Sequence, residues 1–260
     1  MPSWIADLVR LDGDGEVFRT TATFGAGNRL FGGLIAAQAL AAAGATVDPA
    51  RLPQSLHAYF IKGGRVGVDV EYVVECTRDG KSFNTRRVTA SQDGVPIFEM
   101  LASFHRSEPT TDWQRADRPA FAWSGATKAT GLPEQWADHF EVRSGPAGMD
   151  DWPLQPMWFR SREPIEDDPL LRACALTFIS DVGLVATARP PGGSPGPGPG
   201  GAASLDHAVW FHRPIDLGGW HLYDAEAVSH SDARGLARGS IVAQDGTLVA
   251  SVAQESLWRI

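Results

Sequence analysis

The feature that most restricts the fold is a pattern that runs twice: one apolar helix-forming segment, then four strand-like segments. In the first pass, residues 32–43 (GGLIAAQALAAA) are rich in alanine and leucine, which favour helix, and open on paired glycines. Such small side chains suit a helix wrapped closely by other structure, and Gly44 and Pro49 lie near its end. Strand-like segments follow at 55–61, 68–76, 82–91 and 96–104. Asp79-Gly80 and Asp93-Gly94 stand between strands, and Asp-Gly is a strong hairpin signal.

The second pass opens at Asp167-Asp168-Pro169, acidic residues and an early proline of the kind helix N-termini prefer. The helix is expected to run through Leu170, Leu171, Ala175, Leu176 and Ile179 toward Val185. Strands are expected at 204–212, 220–229, 235–243 and 248–258, with Gln244-Asp245-Gly246 before the last. Single residues match as well. Gln92-Asp93-Gly94 precedes a strand ending in Arg106, and Gln244-Asp245-Gly246 one ending in Arg259. Ser55-Leu56 leads to His57 and Phe60, and Ser204-Leu205 leads to His207 and Phe211. A helix followed by an antiparallel meander is an α+β arrangement. The expected organisation is an N-terminal repeat at 1–106, a connection at 107–164 and a C-terminal repeat at 165–260.

Two segments stand outside the repeat. Residues 107–164 are rich in proline, charge and tryptophan (Trp113, Trp123, Trp136, Trp152, Trp158), and read as a long connection with short helical pieces. It is too aromatic for a disordered linker and is expected to pack against the repeats. Residues 189–201, from Arg189 through alternating Pro and Gly to Gly201, offer no apolar side chains to bury, and read as a mobile surface loop.

Composition excludes several classes of function. A formal net charge of −8 argues against a nucleic-acid partner. The two cysteines, Cys76 and Cys174, lack CxxC spacing, so neither a disulfide framework nor a zinc site is expected, and both read as buried small side chains. No metal-ligand cluster is present, and neither a metal nor another cofactor is expected. The N-terminus has charges where a signal peptide needs an apolar run, and the best candidate for a membrane span, residues 34–47, is too short. A cytoplasmic, soluble chain with no membrane partner is expected.

Several motifs in one order resemble the acyl-CoA thioesterase II family. They are Phe31-Gly32-Gly33 with Gln38-Ala39-Leu40, Leu56-His57-Ala58-Tyr59-Phe60, and Arg78-Asp79-Gly80-Lys81-Ser82-Phe83 with Arg86-Arg87-Val88. In the second half they are Ser180-Asp181, Leu205-Asp206-His207 with Trp210-Phe211-His212, Ala233-Arg234-Gly235, and Val249-Ala250-Ser251 with Gln254-Glu255. The resemblance implies a double hotdog fold, each half a long helix wrapped by an antiparallel sheet, that hydrolyses acyl-CoA to a fatty acid and coenzyme A. It also allows a dimer or tetramer formed through the hotdog edges. Position by position it implies three catalytic residues in the C-terminal repeat. These are Asp181 on the second helix, Ser204 just before Leu205-Asp206-His207, and Gln254 on the last strand. The chain departs from the family pattern in the Pro/Gly tract between Asp181 and Ser204, and at Ser256, where glycine is common.

Those residue types suit the chemistry. Thioester hydrolysis needs a group that accepts a proton from water and donors for the oxyanion that develops on the carbonyl. Each residue also has a plainer reading. Asp181 alone is a helix-terminal residue exposed to water, and Ser204 is a hydroxyl that caps a turn. Gln254, in an apolar strand, needs partners in either case. Asp206 and His207 are adjacent on a strand, so they face opposite sides and suit structural hydrogen bonds. His57, a candidate substrate contact, is more often a core or interface histidine. Gly32 and Gly33, also candidate substrate contacts, either present helix-terminal N–H groups to a carbonyl or serve close packing. Arg86, Arg87, Arg234 and Arg238 are candidates for coenzyme A phosphates, with none assigned. A non-hydrolysing acyl-CoA-binding protein and a hotdog hydratase or dehydratase using the histidines remain as alternatives.

Overall fold

The computed structural model describes residues 2–115, 127–128, 134–144, 156–190 and 201–259. These divide into two compact units that the chain visits alternately. The first opens with α1 (Trp4–Leu8), β1 (Asp12–Asp14), β2 (Val17–Thr21), β3 (Gly25–Ala26), β4 (Arg29–Leu30) and α2 (Gly32–Ala45). It continues with β5 (Arg51–Phe60), β6 (Asp69–Asp79), β7 (Phe83–Gln92) and β8 (Val95–Arg106). The second takes β9 (Thr127–Lys128), α3 (Glu134–Ala137), β10 (Phe140–Ser144) and β11 (Met157–Ser161). The chain returns to the first unit for α4 (Pro169–Ser180), then to the second for α5 (Leu184–Thr187) and β12 (Ala202–Ser204). It gives β13 (Asp206–Phe211) to the first unit and finishes in the second with β14 (His221–Ser231), β15 (Arg234–Ala243) and β16 (Leu248–Trp258).

In the first unit an antiparallel sheet runs β1-β2-β6-β7-β8-β5-β13. Its inner positions, among them Leu56, Val70, Tyr72, Val88, Met100 and Phe104, are buried with α2. That helix is buried on almost every side, as its uniformly apolar sequence requires. Gln38, the polar exception, donates from Nε2 to the Leu8 carbonyl (2.7 Å) and accepts from the Tyr72 hydroxyl (2.6 Å), so its amide is satisfied in the core. Helix α4 packs antiparallel to α2, and glycines set the spacing. A Cβ on Gly33 would stand 2.4 Å from the Phe178 carbonyl oxygen, and one on Gly44 would stand 2.5 Å from Leu170 Cδ2.

In the second unit the order is β16-β15-β14-β11-β10-β9, with β12 also on β16. Here β11 pairs with β14 as β2 pairs with β6 in the first unit. The segment expected as a connection with short helical pieces therefore supplies, among its described residues, mainly strands. Buried Met157 and Phe159 on β11 extend the sheet beyond the meander. Trp123, Trp152 and residues 191–200 of the Pro/Gly tract lie outside the described residues.

Other expectations need correction. The second helix stops at Ser180 rather than running to Val185, because Gly183 takes a left-handed conformation (φ 84°) that ends the turn before α5. The strand expected at 204–212 is divided at Leu205 into β12 and β13. Cys76 is exposed, because the β6–β7 hairpin runs past the core from that point, whereas Cys174 is buried. Residues Pro169–Thr187, and not 34–47, are the stretch apolar and long enough to cross a membrane by length and composition. Of an 18-residue window in that stretch 72% is buried inside the protein, as in core helices.

Candidate active site

Asp181 is the C-cap of α4, in helical conformation (φ −80°, ψ −7°), and only 7% exposed. The reading of it as a solvated helix end is therefore wrong. A carboxylate at a helix C-terminus faces the negative end of that helix dipole, an unfavourable place for an acid. The compensation comes from α2. Phe31, the N-cap of α2, makes no side-chain capping bond, so the first N–H groups of the helix need an outside acceptor. Asp181 Oδ2 accepts from Gly33 N–H at 2.9 Å. The carboxylate thus sits at the positive end of α2, where helix termini favour anions.

The preceding residue fixes this helix end from the other side. Ser180 Oγ is 2.8 Å from His207 Nε2 and donates to the Thr177 carbonyl at 2.9 Å, with both Ser180 and His207 fully buried. A hydroxyl has one proton, so with that proton on Thr177 it is His207 Nε2–H that donates to Ser180. The structural role expected for His207 is the one observed.

Ser204 and Gln254 lie together in the second unit. Ser204 ends β12, where it pairs with Ser256 of β16. Gln254 Nε2 donates to Ser204 Oγ at 3.1 Å and lies 3.5 Å from Ser256 Oγ, a long contact. Gln254 is fully buried, whereas Ser204 is half-buried. Because Ser204 accepts from the amide, its own proton is the one it has to donate. Ser256, noted as a departure from the family pattern, is a second polar neighbour of the same amide.

The candidate substrate contacts fare differently. The Gly33 N–H is directed at Asp181, and Gly32 lies against the same carboxylate and the Phe60 ring. His57 is exposed on the sheet face opposite buried Leu56 and Ala58, and meets the Trp210 ring edge-on at 5.0 Å. Alternation along β5 turns it away from the helix, so it is neither a core histidine nor part of the Asp181 cluster. The four arginines are all engaged. Buried Arg86 bonds Thr46 and pairs with Asp79, and Arg87 pairs with Glu99. Arg234 pairs with Asp232 and Glu255, and Arg238 with Glu226. Sequence reasoning missed Ser180 and Phe60. A hydroxyl next to a helix-terminal Asp was the available sign of the first, and the Leu56-His57-Ala58-Tyr59-Phe60 motif that of the second.

A long helix followed by an antiparallel meander, twice along the chain, is the element order of a double hotdog of class α+β. A protein described with a hotdog fold from Alicyclobacillus acidocaldarius matches over 100% of this chain and 99% of its own, with a TM-score of 0.77 at 19% identity, a likeness of fold alone. Family models for the acyl-CoA thioesterase N-terminal and C-terminal domains match residues 20–105 and 108–258. The chain is 34% identical over 251 residues to acyl-CoA thioesterase 2 of Haemophilus influenzae, covering 89% of this chain and 88% of that one. The crystal structure of an acyl-CoA thioesterase II from Mycobacterium marinum superposes with a TM-score of 0.84 at 36% identity, covering 98% of each chain. The chain belongs to the acyl-CoA thioesterase family.

Proposed function

We propose that the chain hydrolyses acyl-CoA thioesters to a free carboxylic acid and coenzyme A, with Asp181, Ser204 and Gln254 as its catalytic residues. The water oxygen adds to the thioester carbonyl carbon while its proton passes to the Asp181 carboxylate. The carbon–sulfur bond then breaks, and the coenzyme A sulfur leaves with the proton that Asp181 returns. No covalent acyl-enzyme is required. Ser204 and Gln254 supply hydroxyl and amide groups that orient the water or hold the developing oxyanion. In the same reading the repeats are residues 1–106 and 165–260, joined by 107–164, and the catalytic residues belong to the second.

The observation that carries this reading is the Gln254–Ser204 hydrogen bond of 3.1 Å. It joins a fully buried amide in an apolar strand to a half-buried hydroxyl with a proton to give. The buried Asp181 carboxylate adds a base of the right type. A hydratase reading needs a histidine paired with an acid at the site, whereas His57 faces outward and His207 is bonded to Ser180.

Release of free thiol from acyl-CoAs of several chain lengths tests the proposal. Turnover is expected with at least one of them, and Asp181→Asn is expected to lower it by about 10²–10⁴-fold. Tight binding without turnover would instead make the chain a carrier, and a full rate in Asp181→Asn would remove the base.

A further inference from the structure

On the reading that Asp181 is the catalytic base, we infer that Gly32 is a positioning residue for it. The absent side chain at position 32 leaves the space in which the carboxylate reaches the N-terminus of α2. The two neighbouring glycines do different things. A Cβ on Gly33 would meet backbone, the Phe178 carbonyl oxygen at 2.4 Å, so Gly33 sets the distance between α2 and α4. The atoms nearest to a Cβ on Gly32 would be side-chain ends: Asp181 Oδ2 at 2.7 Å, and Phe60 Cε1 and Cζ at 2.7 and 2.8 Å. Neither glycine has a positive φ, so neither is required for its backbone conformation. Of the two glycines, Gly32 is therefore the one where a methyl group would press on the carboxylate rather than on the backbone of α4.

The carboxylate oxygen in that space is the one that accepts from Gly33 N–H at 2.9 Å. This hydrogen bond holds Asp181 in one rotamer and gives α2 the cap that Phe31 does not provide. Gly32 does not touch the substrate in this account. It acts through Asp181, by fixing where the proton acceptor stands.

The experiment compares Gly32→Ala, Asp181→Asn and the double variant in the full chain, reading kcat, KM and Tm with the best acyl-CoA substrate. Gly32→Ala is expected to lower kcat by about 10–100-fold through a displacement of the order of one ångström. KM should stay within about twofold of the parent value, since substrate binding is not what is disturbed. In the Asp181→Asn background the same Gly32→Ala change should alter the residual rate by less than about twofold, because the two residues act as one unit. Equal proportional losses in both backgrounds would show that Gly32 works independently of Asp181 and overturn the inference. So would an unchanged kcat in Gly32→Ala while Asp181→Asn is impaired. Full activity in Asp181→Asn would instead overturn the catalytic reading itself. If Gly32→Ala is too unstable to assay, Phe60→Leu is added to both arms, removing the ring side of the clash and leaving the carboxylate side. A lower kcat than Phe60→Leu alone then supports the inference, and an equal one overturns it.

Discussion

The two repeats are built to one plan, and the second departs from it where the first stays regular. Counted from their N-caps, Phe31 and Asp168, Gly44 of the first helix and Asp181 of the second each stand thirteen residues on. In the antiparallel pair of α2 and α4, these positions are the two ends of one contact. At one end Gly44 makes room for the Leu170 side chain, and at the other Asp181 caps Gly33. Ten residues after Gln92 the first repeat has Ala102, and ten residues after Gln244 the second has Gln254. Both are fully buried. The first-repeat strand β5 runs through with a bulge near Pro53, whereas its counterpart is cut at Leu205, directly after Ser204. The helix break, the strand break and the buried amide therefore mark the proposed catalytic residues. Locally irregular positions that hold polar groups are where a fold gives up packing for chemistry.

Changing residues of one repeat toward the other tests that comparison. The largest effect is expected from Gln254→Ala, which gives the second repeat the residue the first already tolerates. It should fold, and its kcat/KM should fall by about 10²–10³-fold, the range for losing one preorganised donor. A loss of stability with no loss of rate would make Gln254 a core residue only. A smaller effect separates the two ends of the helix pair. Gly33→Ala presses on the Phe178 backbone and should cost about 1–3 kcal/mol in urea unfolding. Gly44→Ala presses on the methyl groups of Leu170, which can rotate, and alanine favours helix over glycine by about 1 kcal/mol. Its net change should be the smaller of the two. Equal costs would mean that the two ends pack alike.

How much of this was legible in the sequence follows from the range of each signal. The meander strands β7, β8, β15 and β16 were readable because alternation and Asp-Gly turns are local. The helix α2 was readable because its alanines and leucines are consecutive. The strands β10 and β11 were not, because their short apolar runs sit among prolines and charges, and β14, on which β11 pairs, lies some sixty residues later. Asp181, Ser204 and Gln254 came from resemblance alone. Periodicity could not have singled them out, since the bonds that matter join Gly33 to Asp181 and Ser204 to Gln254 across 148 and 50 residues. The break at Gly183 was hidden for a similar reason: one glycine after an apolar run marks a stop only once the buried aspartate before it is seen to need one.

The hairpin tips carry the same contrast in charge. At the β6–β7 tip Asp79 Oδ1 lies 2.8 Å from Arg86 Nη1 and accepts from Asn84 Nδ2 at 2.6 Å, and the arginine side chain is 4% exposed. At the β14–β15 tip Arg234 reaches Asp232 at 3.0 Å and Glu255 at 3.2 Å, but is 43% exposed. Hydrogen bonds from Arg86 and then Cys76 hold the Asp79 carboxyl below the usual carboxylate range. A depressed value in the folded chain means that the unfolded chain binds the proton first as acid is added. The stabilisation is therefore complete above the unfolded value, about pH 3.9, and is lost as pH falls through the lower folded value. Asp79→Asn removes that titrating group, so its unfolding free energy should decline less steeply below about pH 4 than that of the parent chain. Parallel curves would mean that the Asp79–Arg86 pair contributes no more than an exposed one. Asp232→Asn should move Tm only slightly at neutral pH, as expected for a solvated pair whose arginine keeps Glu255.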